Sequence, residues 1–294
     1  MANLKQIYNK IKSVSNLSKI TKALEVVSTI KLQKTKEKAD ALKNYLLDLM
    51  MILNCVWDKF DLFKVKDVHS TRTLNIIITT DRWQCGSINA KILRFISEEN
   101  KDKKETTDFY VIGKKGLSYI DRAGYNIVGT LSVKDDFADE DLLPVYDFLK
   151  IALEQKQYKE IKIYFNYFKN SLTQIPTSLQ IFPLSMDTFQ NFIWEIGVDY
   201  KCTVNVGKKD LIIEPNQREF MKEIYRQIRS YMITSALIQN KTGEHAARMI
   251  AMKNAKDNSK AIIHSLTLSF NKARQAAVTQ EISEIVSAKI ALED

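Results

Sequence analysis

Glycine and proline are scarce in this chain, 8 and 4 among 294 residues. Few tight turns can be built from so little, and long uninterrupted helices are expected. No apolar run approaches the ~18 residues of a membrane span. The richest, Tyr45 to Trp57, is broken by Asp48 and Asn54. The first thirty residues lack a continuous apolar core and a small-residue cleavage site, which argues against a secretory signal. Glu25 is the first acid, so composition alone leaves a transit peptide open. Cys55, Cys85 and Cys202 are odd in number and contain no CxxC pair, so reduced thiols in a reducing compartment are expected. His69, His245 and His264 have no ligand-like spacing with one another or with a cysteine, and no metal site is expected. A Ser/His/Asp arrangement is missing, as are GxGxxG and GxxxxGK phosphate loops. No catalytic residue and no cofactor site is expected.

Hydrophobic residues make up 45% and charged residues 27%, ordinary for a water-soluble chain with ample core. The net charge of +9 is unevenly placed. Residues 1–45 hold ten lysines, no arginine and three acids, an excess of seven positive charges. A solvated helix face is one reading; nucleic acid, a membrane surface or an acidic protein partner are the others.

From Leu4 onward a stripe with alternating steps of four and three passes through Ile7, Ile11, Val14, Ser18, Thr21, Glu25, Ser28, Leu32, Thr35, Ala39, Leu42, Leu46, Leu49, Leu53 and Val56. A sustained heptad predicts a left-handed coiled coil, polar in the middle of its seam. At ~1.5 Å per residue, a helix over 4–57 is roughly 80 Å long and needs a companion. The C-terminal stretch supplies it. From His245 to Val286 no Pro or Gly occurs, and Ala, Met, Leu, Lys, Arg, Gln and Glu dominate. Helical spacing puts Ile262, Leu266, Ala273, Ala276 and Ala277 on one face and Asn271, Arg274, Gln275 and Val278 on the other. Pro215 is placed to open this helix at its first turn, and Gly243 is its one weak point, worth roughly 1 kcal/mol against Ala.

Between the helices the period changes. Leu74–Thr79, Phe109–Ile112, Ile161–Phe165 and Leu179–Phe182 read as strands, with helices at 86–98, 115–123 and 140–156 between several of them. Such alternation predicts βαβ units and a mostly parallel sheet, with Tyr164 to Pro183 as a late antiparallel hairpin. Asp210–Ile213 reads as a last strand. The fold expected is α/β. N- and C-terminal helices (1–58 and 216–294) form a long antiparallel two-helix coiled coil, with a Rossmann-like α/β domain inserted at 70–214.

Several motifs carry a resemblance. The C-terminal ones are Ala247-Arg248-Met249 with Ala251-Met252-Lys253, Asn271-Lys272-Ala273-Arg274-Gln275-Ala276, Thr279-Gln280-Glu281-Ile282 and Glu284-Ile285-Val286. Near the start stand Ile11-Lys12-Ser13-Val14-Ser15-Asn16 and Lys19-Ile20-Thr21-Lys22-Ala23-Leu24-Glu25-Val26-Val27-Ser28. Together they resemble the gamma subunit, the central rotor shaft of F-type ATP synthases, over essentially the whole chain. Leu24 stands where that family commonly has Met, a volume-conserving change.

The resemblance implies one copy per complex inside a ring of alpha and beta subunits, with an epsilon subunit and a membrane rotor ring as further partners and no nucleic acid. Rotation of the shaft would be coupled to cycling of the beta-subunit catalytic sites and to ion flow through the ring. It further implies beta-subunit contacts at Lys19, Lys22, Leu24, Lys31, Arg248, Arg274, Gln275 and Thr279. A motif starting within the first dozen residues implies a bacterial protein, peripheral on the cytoplasmic face of the membrane. The family's Asp-Arg-Gly-Leu-Cys-Gly appears here as Asp81-Arg82-Trp83-Gln84-Cys85-Gly86, and its Gly-x-Lys-Gly turn as Gly113–Gly116. Trp83 would be strained at a positive-φ site, so the turn is expected to differ. Core or loop packing is the expected role of Trp83, ahead of a contact particular to this protein. No cysteine-bearing redox insert lies between Ile213 and Arg218, and Lys289 would be a mild misfit in an apolar bearing. Two alternatives stay open: a related rotary ATPase that drives motility or transport without a proton ring, and a basic coiled coil that binds nucleic acid or acts as a scaffold.

Overall fold

The computed structural model describes residues 2–56, 70–184, 214 and 216–293. Along the chain run α1 (Ala2–Val56), β1 (Thr73–Ile78), α2 (Ile88–Glu99), β2 (Thr107–Ile112), α3 (Lys114–Arg122), β3 (Asn126–Leu131), α4 (Leu143–Glu154), β4 (Glu160–Phe168), β5 (Gln174–Phe182) and α5 (Gln217–Glu293). The strand expected at Asp210–Ile213, Pro215, His69 and Cys202 lie outside the described residues. The described chain forms two compact units, one of residues 1–29 with 248–294 and the other of residues 30–247. Each long helix contributes to both.

In the larger unit the sheet order is β3-β2-β1-β4-β5, parallel throughout except for β5, which returns antiparallel beside β4. Alternate residues feed two cores. Leu74, Ile76, Ile78, Tyr110, Ile112, Ile161, Ile163 and Phe165 face one side, together with Val145 and Leu149 of α4, Leu46 and Leu49 of α1, and Ile224 to Ile238 of α5. Ile77, Phe109, Val111 and Tyr164 face the other, under Ile92, Leu93 and Ile96 of α2 and Ile120 of α3. Covered on both faces, the inner strands read as continuous apolar runs.

β3 was not foreseen. Asn126, Gly129 and Thr130 interrupt its apolar pattern, and as an edge strand it is only half-buried. Gly129 is required there, because a Cβ would lie 2.4 Å from the Tyr110 ring. Gly243 is likewise more than a weak point in a helix. A Cβ at that position would meet Gln174 at 3.2 Å and Ile88 at 3.3 Å, so its smallness lets α5 approach closely.

α5 is buried almost all round from Tyr231 to Ala246, and its polar side chains complete the sheet. The pairing of β1 with β4 ends at Tyr164, so later amides of β4 on that side need other acceptors. Asn240 Oδ1 accepts from the Asn166 amide at 3.2 Å and from its side chain at 2.9 Å, and Gln239 Oε1 accepts from the Phe168 amide at 3.3 Å.

From Ile7 to Leu49 the predicted α1 stripe is the covered face of that helix in both units, while the side chains of Leu53 and Val56 lie outside the described residues. Thr21, Ser28, Leu32, Thr35, Leu46 and Leu49 are buried, and the stripe positions between Ile7 and Leu42 are otherwise half-buried. The polar seam members bond within their own helix: Thr21 to the Ser18 carbonyl at 3.0 Å, Ser28 to Leu24 at 2.7 Å, and Thr35 to Leu32 at 3.0 Å. With their hydroxyls satisfied, they form a thin seam that a neighbouring helix can approach.

Candidate interaction surface

In the smaller unit the helices run antiparallel. Glu25 accepts from Lys256 at 2.6 Å, and Tyr8 lies 6.4 Å from Phe270, ring centre to ring centre. The ion pair is largely buried, with side chains 18% and 20% exposed, and it fixes register where the small hydroxyls do not. On α5 the covered face is Met252, Ala255, Ser259, Ile263, Leu266, Phe270, Ala273 and Ala277, again in steps of three and four. This corrects the sequence reading at two places. Ile262 and Ala276 are exposed, one position off the seam. From Val278 to Lys289 every residue is exposed.

The outer face of this unit is unusual for a water-facing helix pair. Large apolar side chains stand out on α1 at Leu17, Ile20, Val26 and Val27, and on α5 at Leu268, Val278, Ile282, Ile285 and Val286. Gln275, Val278, Ile282 and Ile285 repeat the three-four step, an exposed stripe of the kind that buries against a partner. Twelve lysines and arginines accompany six acids in these residues, so +6 of the chain's +9 resides here.

Lys19 and Lys22 are exposed one turn apart on α1, with Leu24 half-buried beside the seam. Arg274, Gln275 and Thr279 are exposed together on α5, and Thr279 caps its hydroxyl on the Gln275 carbonyl at 2.9 Å. Arg248 is half-buried. Lys31 belongs to the other unit and is already engaged, bonded to Asp135. Burial by itself would raise the Asp135 carboxyl. The Lys31 hydrogen bond and the charges of Lys241 and His245 outweigh that and hold it at about 2.

Trp83 departs from its expected packing role. It is 75% exposed, and the Lys115 ammonium sits 3.3 Å from its ring centre. The positive φ falls one residue later, at Gln84 (69°), which relieves the aromatic of strain. The glycine turn that follows β2 is no phosphate cradle. Amides of Gly113, Lys114, Lys115 and Gly116 go to Leu131 O, Asp81 Oδ1, Thr80 O and Thr79 Oγ1 in turn, leaving none for an anion. Among the described residues no group of three or more His, Cys, Asp or Glu could hold a metal ion, and no helix is long and apolar enough to cross a membrane.

A family model described as ATP synthase matches residues 3–292. Three solved structures share the fold. A chain of the Euglena gracilis mitochondrial ATP synthase OSCP/F1/c-ring in rotational state 3 is 17% identical, with 99% of this chain and 95% of that one covered and a TM-score of 0.69. One from the rotor of the same organism's enzyme in rotational state 1 is 17% identical over 94% and 99%, at TM-score 0.63. A chain of the Tetrahymena thermophila mitochondrial ATP synthase central stalk and c-ring is 18% identical over 80% and 99%, at 0.58.

Proposed function

The chain belongs to the ATP synthase gamma-subunit family, and on that premise we propose that it is the non-catalytic rotor of the central stalk in an F-type ATP synthase or ATPase. One observation beyond membership supports this most: a slim antiparallel helix pair with covered seams carries a net +6 and, among the described residues, still keeps at least nine large apolar side chains on its outside. Such a surface suits a tight sleeve with acidic elements. An asymmetric rod offers a different face to each surrounding beta subunit, so each catalytic site is biased toward a different state, and turning the rod exchanges the biases.

Lys19, Lys22, Leu24, Arg248, Arg274, Gln275 and Thr279 are proposed to touch the beta subunits. Arg274 offers a two-pronged contact to a carboxylate. Lys31 can join them only by sharing its ammonium with Asp135. The α/β domain is proposed to rest on the epsilon subunit and the membrane ring, with the whole peripheral on the cytoplasmic face of a bacterial membrane.

Tagged protein drawn from its native cell is expected to bring alpha, beta, epsilon and ring subunits together with ATPase activity. Nucleic acid without alpha and beta would overturn the reading. Exposed ion pairs are individually weak, ~0–1 kcal/mol. Reversing both Lys19 and Lys22 to Glu is therefore expected to weaken capture of alpha and beta by about tenfold at low ionic strength and less at high.

A further inference from the structure

The segment Val133–Phe137, just after β3, is tied by charge to both long helices within the larger unit. Asp135 accepts from Lys31 of α1, and Lys241 of α5 lies 3.5 Å from its other oxygen. The same Lys241 donates to the Val133 carbonyl at 2.9 Å. Lys38, two helical turns after Lys31 and so on the same face of α1, donates to Asp136 at 2.9 Å and to the Phe137 carbonyl at 3.2 Å. Val133 and Phe137 are themselves buried. Lys241 is 5% exposed and Glu244, 4.0 Å from it, is 3% exposed, while His245 Nε2 stands 3.9 Å from Asp135.

An ammonium this deeply buried is tolerated only beside carboxylates. Removing Asp135 would take away its nearer carboxylate and leave only Glu244, at 4.0 Å. The apolar contacts that also join helices and sheet are non-directional, and the Asn240 and Gln239 hydrogen bonds to β4 come from α5 alone. Three lysines from two helices converging on five consecutive residues permit one arrangement.

We propose that Val133–Phe137 is a charge-locked strap that fixes the α/β domain to α1 and α5 together, and, resting on the rotor reading, that it is the joint through which torque passes between helices and domain in this unit. The strap is tested first on the isolated full-length chain by hydrogen–deuterium exchange. Asp135→Asn is expected to speed exchange across 133–137 by about tenfold while β1 and β4 keep their protection. The double variant Asp135→Asn with Lys241→Met, which removes the buried ammonium together with its nearest carboxylate, is expected to regain part of the lost thermal stability yet leave the strap exchanging fast. A change of less than about twofold in the single variant, or strap protection that returns together with stability in the double, would overturn the lock. This result does not depend on the chain being a rotor.

The torque role is read in the assembled ATPase, from a bead tethered at the β4–β5 hairpin tip, where Leu172 is 81% exposed. The double variant is expected to widen the bead's angular spread at each pause. An unchanged spread overturns the torque role. A wild-type complex that hydrolyses ATP without turning the bead overturns the rotor reading instead.

Discussion

Gly113→Ala is expected to cost about 3–5 kcal/mol, a large share of a typical domain's 5–15. The residue joins β2 to α3 at φ 103°, and a Cβ built there would lie 2.3 Å from the Thr79 carbonyl oxygen and 2.7 Å from its Oγ1. Thr79 cannot retreat. Its amide is bonded to Ile112 O at 2.8 Å, its hydroxyl receives the Gly116 amide at 2.8 Å, and it is buried. Backbone conformation and close packing thus forbid the methyl together. Gly124→Ala is the matched control. Its φ is 72°, but nothing lies within 4 Å of the added carbon, so only the conformational cost of about 1 kcal/mol applies. Chemical denaturation of both variants separates the two effects, and equal losses would refute the steric account.

Asn240→Leu carries the second large penalty, about 2–4 kcal/mol, although leucine is close in size. Asn240 is fully buried and accepts two hydrogen bonds from Asn166, itself buried in β4. Leucine removes the acceptor and leaves two donors dry, each costing about 1–3 kcal/mol. Thermal unfolding should show the loss, and exchange of the Asn166 amide should rise first. A variant as stable as the parent would mean that the helix does not complete the sheet as described.

Both predictions concern features that a reading of the sequence reaches unevenly. β1, β2 and β4 were legible because burial on both faces makes their strands largely apolar, and of the edge strand β5 only the end, Leu179–Phe182, was legible. β3 was not, since an edge strand under a tyrosine ring needs a glycine where the pattern asks for a branched residue. The heptad stripe of α1 was legible through its polar middle because spacing, rather than hydrophobicity, carries the signal. On α5 the seam was off by one position at Ile262 and Ala276, in a stretch where alanine occupies both inner and outer faces and blurs the boundary.

The outward-facing residues Lys19, Lys22, Arg274 and Gln275 could be singled out only by resemblance, because an exposed charge leaves no periodic trace. The strap and the Asn166–Asn240 pair were beyond reach. Lys31 and Asp135 are 104 positions apart, and Asn166 and Asn240 are 74 apart. Nothing local marks either one. Trp83 misled for a related reason: a tryptophan argues for burial by composition, and here a lysine stacked on its ring takes the place of a core.

The measurement that tests the account most directly is rotation. Alpha and beta subunits reconstituted with this chain, immobilised and given ATP, should turn a bead tethered at the β4–β5 hairpin tip in one direction, with hydrolysis that falls when the chain is omitted. Hydrolysis indifferent to the chain, with a bead that only diffuses, would contradict the rotor assignment.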